Sequence, residues 1–338
     1  MRTLSLALAL LAAASGPVRS DGRMAALAAG GLTLDATGAV TLVAEDLYLS
    51  EARVRVDYRF RNPTGAAIAA TIAFPMPDIA GDPDRSVSIP DPSRDNFLRL
   101  ETLVDGRPVE PHLEQRAFLG RDGQPPREIT DLLRSLSIPL VPTVEATEAA
   151  LRRLSEDRRR ILAEAGMLTR QVHADGTLAD VPLWTLRSRF WHRQVFPAGR
   201  EVVVRQSYVP SLGSRPDLAF GAPDLDPAER APYEARFCAD PAFARAAQAL
   251  YRRASADGSR SFHPSERYLS YAIASGAGGN GPIGAFRLTV DKGDPASLVS
   301  FCGRNVRKTG PTTLEMEATD YTPERPIDVL LLKPTTHD

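Results

Sequence analysis

Two cysteines offer the sharpest chemistry in the chain. The sequence contains only Cys238 and Cys302, and two cysteines in an oxidising compartment are usually joined in a disulfide bond. The bond would close a loop of about 65 residues and stabilise the fold by about 4 kcal/mol in the chain-entropy account. The alternative is two buried free thiols. A redox-active pair is disfavoured because the spacing is not Cys-x-x-Cys, so we predict a structural disulfide.

A tryptophan among arginines is the main candidate for ligand binding. If Leu186–Phe196 forms a strand, Trp191 shares one face with Arg187, Arg189 and Arg193. An aromatic ring among guanidinium groups can bind an anionic or a sugar ligand. The pattern favours instead a core tryptophan at a sandwich seam, with the arginine side chains extending around it to solvent. We keep Trp191, Arg189 and Arg193 as candidate ligand-binding residues.

The sequence lacks the local motifs that mark many catalytic, metal and phosphate sites. Its five histidines include no His-Glu-x-x-His or other paired ligand spacing, and it contains no Gly-x-Ser-x-Gly elbow. The glycines of residues 276–284 lack the Lys-Ser/Thr ending of a phosphate loop. We therefore assign no catalytic, metal or cofactor-binding residue and expect no cofactor. A dispersed acid–base pair leaves no such motif, so a hydrolase remains the alternative.

An acidic loop follows the first strands, between residues 75 and 95. Clustered carboxylates are the ligands that calcium prefers. However, their spacing matches no known calcium loop, and Pro83 and Pro92 stiffen the segment. The pattern favours a solvated loop over a calcium site. The acidic residues are Asp78, Asp82, Asp84, Asp91 and Asp95.

The N-terminus resembles a secretory signal peptide. Leu4–Ala14 is an unbroken apolar run of 11 residues, too short to span a bilayer but suited to a signal peptide. Gly16-Pro17 ends the run, and we expect cleavage before Asp21, with a position near Ser15 as the alternative cleavage site. A buried N-terminal helix is the alternative. No later stretch approaches 18 apolar residues, so we expect a periplasmic or secreted protein without a transmembrane segment in the mature chain.

The overall composition excludes some classes of protein. The 338 residues include 41 basic and 42 acidic side chains, for a net charge of -1, whereas a dedicated nucleic-acid binder shows a basic excess. Hydrophobic residues make up 43% of the chain, enough for a folded core.

The hydropathy pattern predicts a mainly β, antiparallel, sandwich-like fold with a helical insertion. Arg53–Arg61 alternates strictly between apolar and polar residues, which predicts a strand with one buried and one solvated face. Asn62-Pro63-Thr64-Gly65 then predicts a turn into a returning strand, Ala67–Phe74. Asp105-Gly106 between two apolar segments predicts a hairpin.

Helical spacing appears mainly in the middle of the chain. Arg127–Leu136 predicts a short helix, and Thr143–Met167 predicts one long helix with Leu151, Leu154, Ile161 and Leu162 on its apolar face. A further helix is expected within 238–256. The predicted organisation is a signal peptide (1–20), an N-terminal β-sandwich-like domain (21–122), a helical insertion (123–180) and a C-terminal β-rich domain with one helix (181–338).

Several ordered segments match a known family. EDLYLS, VRVDYRFRN and AFPMPDI occur in the first half, and WHRQVFPAGREVVVRQSYVPSLG, FCAD, GPIGAFRLTVDKG and VSFC follow in the second. In these the chain resembles the bacterial domain-of-unknown-function family 4424 over residues 21–332. The resemblance implies a secreted or periplasmic bacterial protein without an established activity, and it supplies no catalytic residues.

Together these observations favour an exported, non-catalytic protein that binds a partner or ligand through its loops and insertion. We expect the partner to be an envelope protein or a glycan. We expect no binding of nucleic acid. A hydrolase acting on envelope polymers through dispersed carboxylates and histidines is the first alternative. A purely structural accessory protein is the second.

Overall fold

The structure is a computed structural model of the full chain. It describes residues 24–25, 29–35, 39–83, 86–121, 123–172, 177–215, 217–256, 262–273 and 282–336. The predicted signal peptide lies outside these ranges, and its cleavage before Asp21 stays a prediction.

The described chain is mainly β with a small helical part, as predicted. The strands are β1 (Met24–Ala25), β2 (Ala29–Gly30), β3 (Thr33–Asp35), β4 (Thr41–Ser50), β5 (Val54–Arg61), β6 (Ile68–Pro75), β7 (Ile79–Ala80), β8 (Ser86–Val87), β9 (Glu101–Val104), β10 (Arg107–Val109), β11 (His112–Arg121), β12 (Gln124–Glu128), β13 (Leu168–Val172), β14 (Leu178–Pro182), β15 (Thr185–Phe196), β16 (Glu201–Tyr208), β17 (Gly213–Arg215), β18 (Phe262–Ala272), β19 (Ile283–Asp291), β20 (Leu298–Phe301), β21 (Arg307–Lys308), β22 (Thr313–Tyr321) and β23 (Ile327–Thr336). The helices are α1 (Thr130–Ser135), α2 (Val144–Arg152), α3 (Glu156–Glu164), α4 (Pro227–Phe237) and α5 (Pro241–Ala256).

Three sheets form the body of the fold. The eight-stranded sheet has the order β10-β9-β16-β5-β4-β19-β22-β21, and the six-stranded sheet follows β12-β11-β15-β6-β3, with β7 pairing β15. The seven-stranded sheet follows β20-β23-β18-β17-β1-β8, with β2 pairing β18. The predicted domain division at residues 122 and 180 stays a prediction, and the eight-stranded sheet combines strands from both sides of it.

The main core lies between the inner faces of these sheets. It includes Val56 from the eight-stranded sheet, Ile72 from the six-stranded sheet and Val329 from the seven-stranded sheet, all nearly inaccessible to solvent. The alternation predicted for residues 53–61 is confirmed, because Val54, Val56, Tyr58 and Phe60 are buried while their neighbours face outward. Burying these side chains on one face fixes the register of the strand.

One predicted hairpin is confirmed and one predicted pairing is wrong. Asp105 and Gly106, both at positive φ, join β9 to β10, as the Asp-Gly pair predicts. In contrast, β6 does not return along β5. It crosses to the six-stranded sheet and pairs with β15, while β5 pairs with β4 and β16. A turn motif identifies a change of direction, but not the sheet that the next strand joins.

The predicted long helix over Thr143–Met167 is wrong in one respect, because it is two helices. Thr143 caps α2 and Ser155 caps α3, each accepting a hydrogen bond from a backbone N–H of its helix. The break rotates the apolar face, so Leu151 and Leu162 are buried but Ile161 is 58% exposed. The buried leucines pack with α1 and Trp184 in a second core.

Helix α4 was not predicted. It contains Pro232, which disfavours a helical interpretation of the sequence. The available signal was Asp226 followed by Pro227, an N-cap residue and a proline at the first helical position. Helix α5 confirms the helix expected within residues 238–256, and both helices pack over a third core that includes Leu330 of β23.

Candidate functional site

A groove of about 700 Å³ lies on the outer face of the eight-stranded sheet. It crosses five adjacent strands, β16, β5, β4, β19 and β22. We call it the sheet groove. The residues that line it are Ala44, Glu45, Asp46, Asp57, Tyr58, Arg59, Val203, Arg205, Ala285, Phe286, Arg287, Glu317, Ala318 and Thr319.

One row of charged residues runs across all five strands of the groove. In strand order it is Arg205, Asp57, Asp46, Arg287 and Glu317, each the direct cross-strand partner of the next. The two central aspartates face each other, an arrangement that repels by itself. A guanidinium group on each outer side offsets that repulsion. The row therefore presents donors and acceptors side by side.

The arginines hold both aspartates in place. Arg205 donates two hydrogen bonds to Asp57, with Nε 2.5 Å from Oδ1 and Nη2 3.1 Å from Oδ2. This contact raises the pKa of the Arg205 guanidinium. On the other side, Nη2 of Arg287 lies 3.3 Å from Oδ2 of Asp46. These side chains are part-exposed, so the pairs orient groups toward solvent more than they stabilise the fold.

Small side chains form the floor of the groove. The next row of the sheet places Ala44 directly beside Ala285, with Arg59 and Thr319 at its sides. A register shift in β4 between Leu42 and Ala44 bends the strand at this point.

The bend in β4 lets β19 approach closely. A Cβ atom at Gly284 would lie 2.7 Å from the carbonyl oxygen of Val43, so only glycine fits there without displacing backbone. Gly284 therefore permits the close approach of β19 to Val43 beside the groove floor.

A buried carboxyl group lies behind the groove, on the core side of the same sheet. Glu45 sits between Ala44 and Asp46 in β4 but faces inward, and it is only 1% exposed. Burial raises the pKa of Glu45 to about 8, which its hydrogen bond from Tyr271 only partly opposes. Its Oε2 atom has no hydrogen-bond partner in the part of the chain that the structure describes.

A chain of hydroxyl groups connects Glu45 to the opposite sheet. Tyr271 of β18 approaches Glu45 with 3.5 Å between Oη and Oε1, and its Oη lies 2.8 Å from Oη of Tyr58. The backbone N–H of Leu32 donates to Tyr58 at 3.1 Å. Burial raises the pKa of both tyrosines. This network is interior, so it contributes to folding rather than to contact with a ligand.

The predicted ligand-binding residues lie on another surface, the outer face of the six-stranded sheet. Trp191 shares that face with Arg187, Arg189 and Arg193, as the alternation predicts, and it is half-buried. The structure thus places Trp191, Arg189 and Arg193 together, but away from the sheet groove. The fully buried tryptophan is Trp184, whose Nε1 donates to the carbonyl oxygen of Leu140 at 2.8 Å.

The predicted disulfide between Cys238 and Cys302 is confirmed. Cys238 follows α4 in the left-handed conformation, and Cys302 follows β20. Beside the bond, Oγ of Ser300 donates to the carbonyl oxygen of Phe237 at 3.0 Å. The disulfide therefore fastens the end of α4 to the seven-stranded sheet.

The acidic loop is tied largely to arginines. Asp91 accepts hydrogen bonds from Arg99 and Ser93, and Asp78 accepts one from Arg187. Asp84 lies outside the described residues. Across the described ranges, no three His, Cys, Asp or Glu side chains come close enough to hold a metal ion.

The histidines are scattered. His112 stacks on Trp191 with ring centroids 4.6 Å apart. His192 is buried, and burial lowers its pKa. His173 and His337 lie outside the described residues.

The groove residues were not singled out from the sequence. The sequence pattern identifies Asp57 and Arg59 only as part of the solvated face of a strand, and it gives no signal for Asp46, Arg205 or Arg287. Alternation shows which side chains face outward, but the pairing of β4 with β19 joins residues about 240 positions apart. No local sequence pattern predicts the register in which these two strands pair.

In the described residues, no helix combines the length and apolar character that crossing a membrane requires. Among curated proteins, none matches this chain. One similar solved structure is that of a protein from Legionella pneumophila, described as a "putative nutrient binding protein". The alignment has a TM-score of 0.44 and 10% identity, and it covers 92% of this chain and 72% of that protein.

The family comparison covers nearly the whole chain. The model of one family, described as a domain of unknown function (DUF4424), matches residues 20–330. This agrees with the resemblance noted from the ordered segments. The chain is therefore a member of the DUF4424 family.

Proposed function

We propose that this protein is an exported envelope protein that binds a neutral glycan in the sheet groove without cleaving it. The observation that carries the proposal is the charged row from Arg205 to Glu317 beside the alanine floor. Guanidinium donors flank a central pair of carboxylate acceptors there on a rigid sheet, which is a better support for a site than a mobile loop.

The paired charges in the groove favour a ligand that binds through hydroxyl groups. A hydroxyl group both donates and accepts a hydrogen bond, so it can bridge a carboxylate and its neighbouring guanidinium group. A charged ligand would instead have to compete with Asp57 for Arg205, or with Arg287 for Asp46. Because the floor is Ala44 and Ala285, a ring of a sugar can approach the backbone closely.

The same chemistry disfavours a protein partner at this groove. Hot spots of protein interfaces are rich in large aromatic and aliphatic anchors. The side chains on the outer face of this groove are charged or small, with Val203 the largest aliphatic among them. A polar, polyhydroxylated ligand matches such a surface better.

Binding without hydrolysis is favoured by the positions of the carboxyl groups. A general acid needs a carboxyl group that retains its proton and reaches the substrate. Asp46 and Asp57 hold guanidinium groups, and Glu45, whose pKa is raised, faces the core. The hydrolase remains the alternative that the experiment below also tests.

Export is part of the proposal and rests on the N-terminal sequence. Sequencing the N-terminus of the protein recovered from the periplasm or medium should give a start within a few residues of Asp21. Soluble periplasmic protein that retains Met1 would contradict export by this signal.

The binding proposal is tested by calorimetry with neutral glycan fragments released from a bacterial envelope. Ala44→Leu and Ala285→Leu fill the floor without changing charge, and each should weaken binding at least tenfold, or about 1.4 kcal/mol. Thr289→Leu, on the same face of β19 outside the groove, is the matched control. Absence of binding to every fragment, or unchanged binding by both floor variants, would overturn the proposal.

Chromatography of the same mixtures tests the alternative. The glycan should be recovered intact after prolonged incubation. Shortened products that disappear in Asp57→Asn would establish a hydrolase instead.

A further inference from the structure

We propose that the outer face of the six-stranded sheet holds a second binding site, in which Trp191 and Arg193 bind a sugar ring that carries a carboxylate. This site is separate from the sheet groove and does not depend on the function proposed for it.

The cross-strand neighbours of Trp191 differ on its two sides. One side has a planar side chain and the other has small side chains. The register of the sheet places His112 on one side of Trp191 and Ala73 on the other, with Thr33 beyond Ala73. The His112 ring stacks on the indole at a centroid distance of 4.6 Å. On the opposite side, Ala73 offers a single methyl group, which leaves room for a ring beside the indole.

Two hydrogen-bond donors at this site have no acceptor among the residues that the structure describes. The indole N–H of Trp191 and the guanidinium group of Arg193 make no hydrogen bond to any residue that the structure describes, and Arg193 forms no salt bridge there. The contrast with Trp184 is direct, since its indole N–H is satisfied by Leu140. Open donors on an exposed face favour a ligand rich in acceptors.

The neighbouring arginines are already paired. Glu114 accepts from Arg189 at 2.8 Å and from Arg116 at 3.0 Å, and these contacts lower the pKa of Glu114. Arg187 pairs with Asp78 at 3.1 Å and lies over the Phe118 ring. Among the arginines on this face of β15, Arg193 is therefore the one without a carboxylate partner in the described part of the chain.

The nearest carboxylate in the row of Arg193 belongs to Asp35, and the two side chains form no ion pair among the described residues. Thr71 lies beside Arg193, and Asp35 lies beside Thr71. Two strand spacings are about 9.6 Å between backbones, which the two side chains could span, yet no salt bridge joins Arg193 to Asp35 in the part of the chain that the structure describes. Thr71 also adds a hydroxyl group next to the guanidinium group, where it can bind a ligand hydroxyl.

These features match an acidic saccharide. The face of an indole ring is electron-rich and attracts the polarised C–H groups of a sugar ring. A carboxylate on that ring can accept from Arg193, and an oxygen of an adjoining sugar unit at the edge of the indole can accept from its N–H. A neutral sugar would leave Arg193 unpaired, so the carboxylate supplies the specificity.

The test measures binding of a uronic-acid trisaccharide to the full protein, with its carboxyl-reduced neutral counterpart as the matched ligand. Indole fluorescence reports the site because Trp184 is buried and Trp191 is not. We expect binding of the uronate with a change in fluorescence, binding weakened at least tenfold for the neutral form, and weakening as salt is raised.

Variants separate this site from other surfaces. Arg193→Gln should weaken uronate binding about tenfold, and Trp191→Leu should abolish it. Arg187→Gln, on the same strand face but already paired with Asp78, and Ala44→Leu in the sheet groove should leave it unchanged. Thermal melting of each variant confirms folding, which is expected because the substituted side chains are exposed or half-buried.

Three results would overturn the proposal. They are absence of uronate binding, equal binding of the uronate and its neutral form, and unchanged binding by Arg193→Gln. Loss of binding in Ala44→Leu alone would assign the uronate to the groove instead. Failure here leaves the neutral-glycan proposal standing, since that proposal is tested by other variants and another ligand.

Discussion

The hydroxyl groups of Tyr58 and Tyr271 lie 2.8 Å apart and join two sheets through the centre of the core. Tyr58 belongs to β5 of the eight-stranded sheet and Tyr271 to β18 of the seven-stranded sheet. Each hydroxyl group also bonds a second buried group, Leu32 N–H in one case and Glu45 in the other. The hydrogen bond therefore couples a buried acid to the packing of the sheets.

The contribution of Glu45 to the free energy of unfolding should fall as pH rises from about 4.5 to about 8, while the buried His192, whose pKa is lowered, opposes this fall on the acid side. Glu45 has an ordinary pKa of 4.5 and a folded-state pKa of about 8, so in this interval the folded protein holds a proton that the unfolded chain releases. The contribution of Glu45 to the free energy of unfolding is complete below pH 4.5 and is lost by about pH 8. In between, the free energy of unfolding changes by up to about 1.4 kcal/mol per pH unit. Urea unfolding across this range measures it.

Glu45→Gln should remove most of that pH dependence and should be more stable than the natural protein at pH 8. Glu317→Gln, an exposed carboxylate of the same sheet, is the control and should keep the slope. If Glu45→Gln retained the full slope, another group would be responsible.

The tyrosine pair should show non-additive energetics. Tyr58→Phe and Tyr271→Phe each remove a buried hydrogen bond and leave other groups unsatisfied, at a cost of about 1–3 kcal/mol each. Because both variants break the same mutual bond, the double variant should cost less than their sum by about 1 kcal/mol. Chemical unfolding of all four proteins gives this coupling, and strict additivity would mean that the hydroxyl groups do not interact.

Removing the disulfide should destabilise the folded protein. Cys238 and Cys302 are 64 positions apart, so opening the bond frees a long loop in the unfolded chain and should cost about 4 kcal/mol. Melting with and without reductant measures the loss. The variant with both cysteines changed to alanine should melt at the same temperature as the reduced natural protein. Adding reductant should not change that temperature. Two freely alkylated thiols in the oxidised folded protein would refute the bond.

The two faces of α3 should respond differently to charge. Leu162→Asp buries an unpaired carboxylate in the second core and should destabilise the protein by a few kcal/mol, on the order of 1–3 or more. Ile161→Asp is the adjacent control and should change stability by less than about 0.5 kcal/mol, because that side chain is largely exposed. Equal effects of the two substitutions on urea unfolding would contradict the packing of this helix.

Features set by a short stretch of sequence were predictable. The burial of Val56 and Tyr58 followed from alternation, and the shared face of Trp191 and Arg193 followed from the same rule. The disulfide was predictable because the chain offers only one possible pair. In each case the deciding physical cause lies within a few residues or in the composition.

Features set by long-range pairing were not predictable. The charged row of the groove exists because β16, β5, β4, β19 and β22 align in one register, and no local pattern encodes that alignment. Likewise, Glu45 occupies a position that alternation cannot distinguish from a solvated acid, since the register shift at Val43 changes which residues of β4 face inward. The helix break at Ser155 was missed because its apolar periodicity nearly continues across the cap.

The parallel pairing of β4 with β19 has a consequence for the order in which the chain is made. Residues 41–50 emerge from the ribosome early. The strand that pairs with the second edge of β4 is made only with residues 283–291. Until then, a nascent chain carries an uncovered sheet edge, a surface on which strands of other molecules can pair and aggregate. Such high contact order also makes refolding slow. A chain truncated before residue 283 should accordingly need a holding chaperone to stay in solution, however well its first strands form.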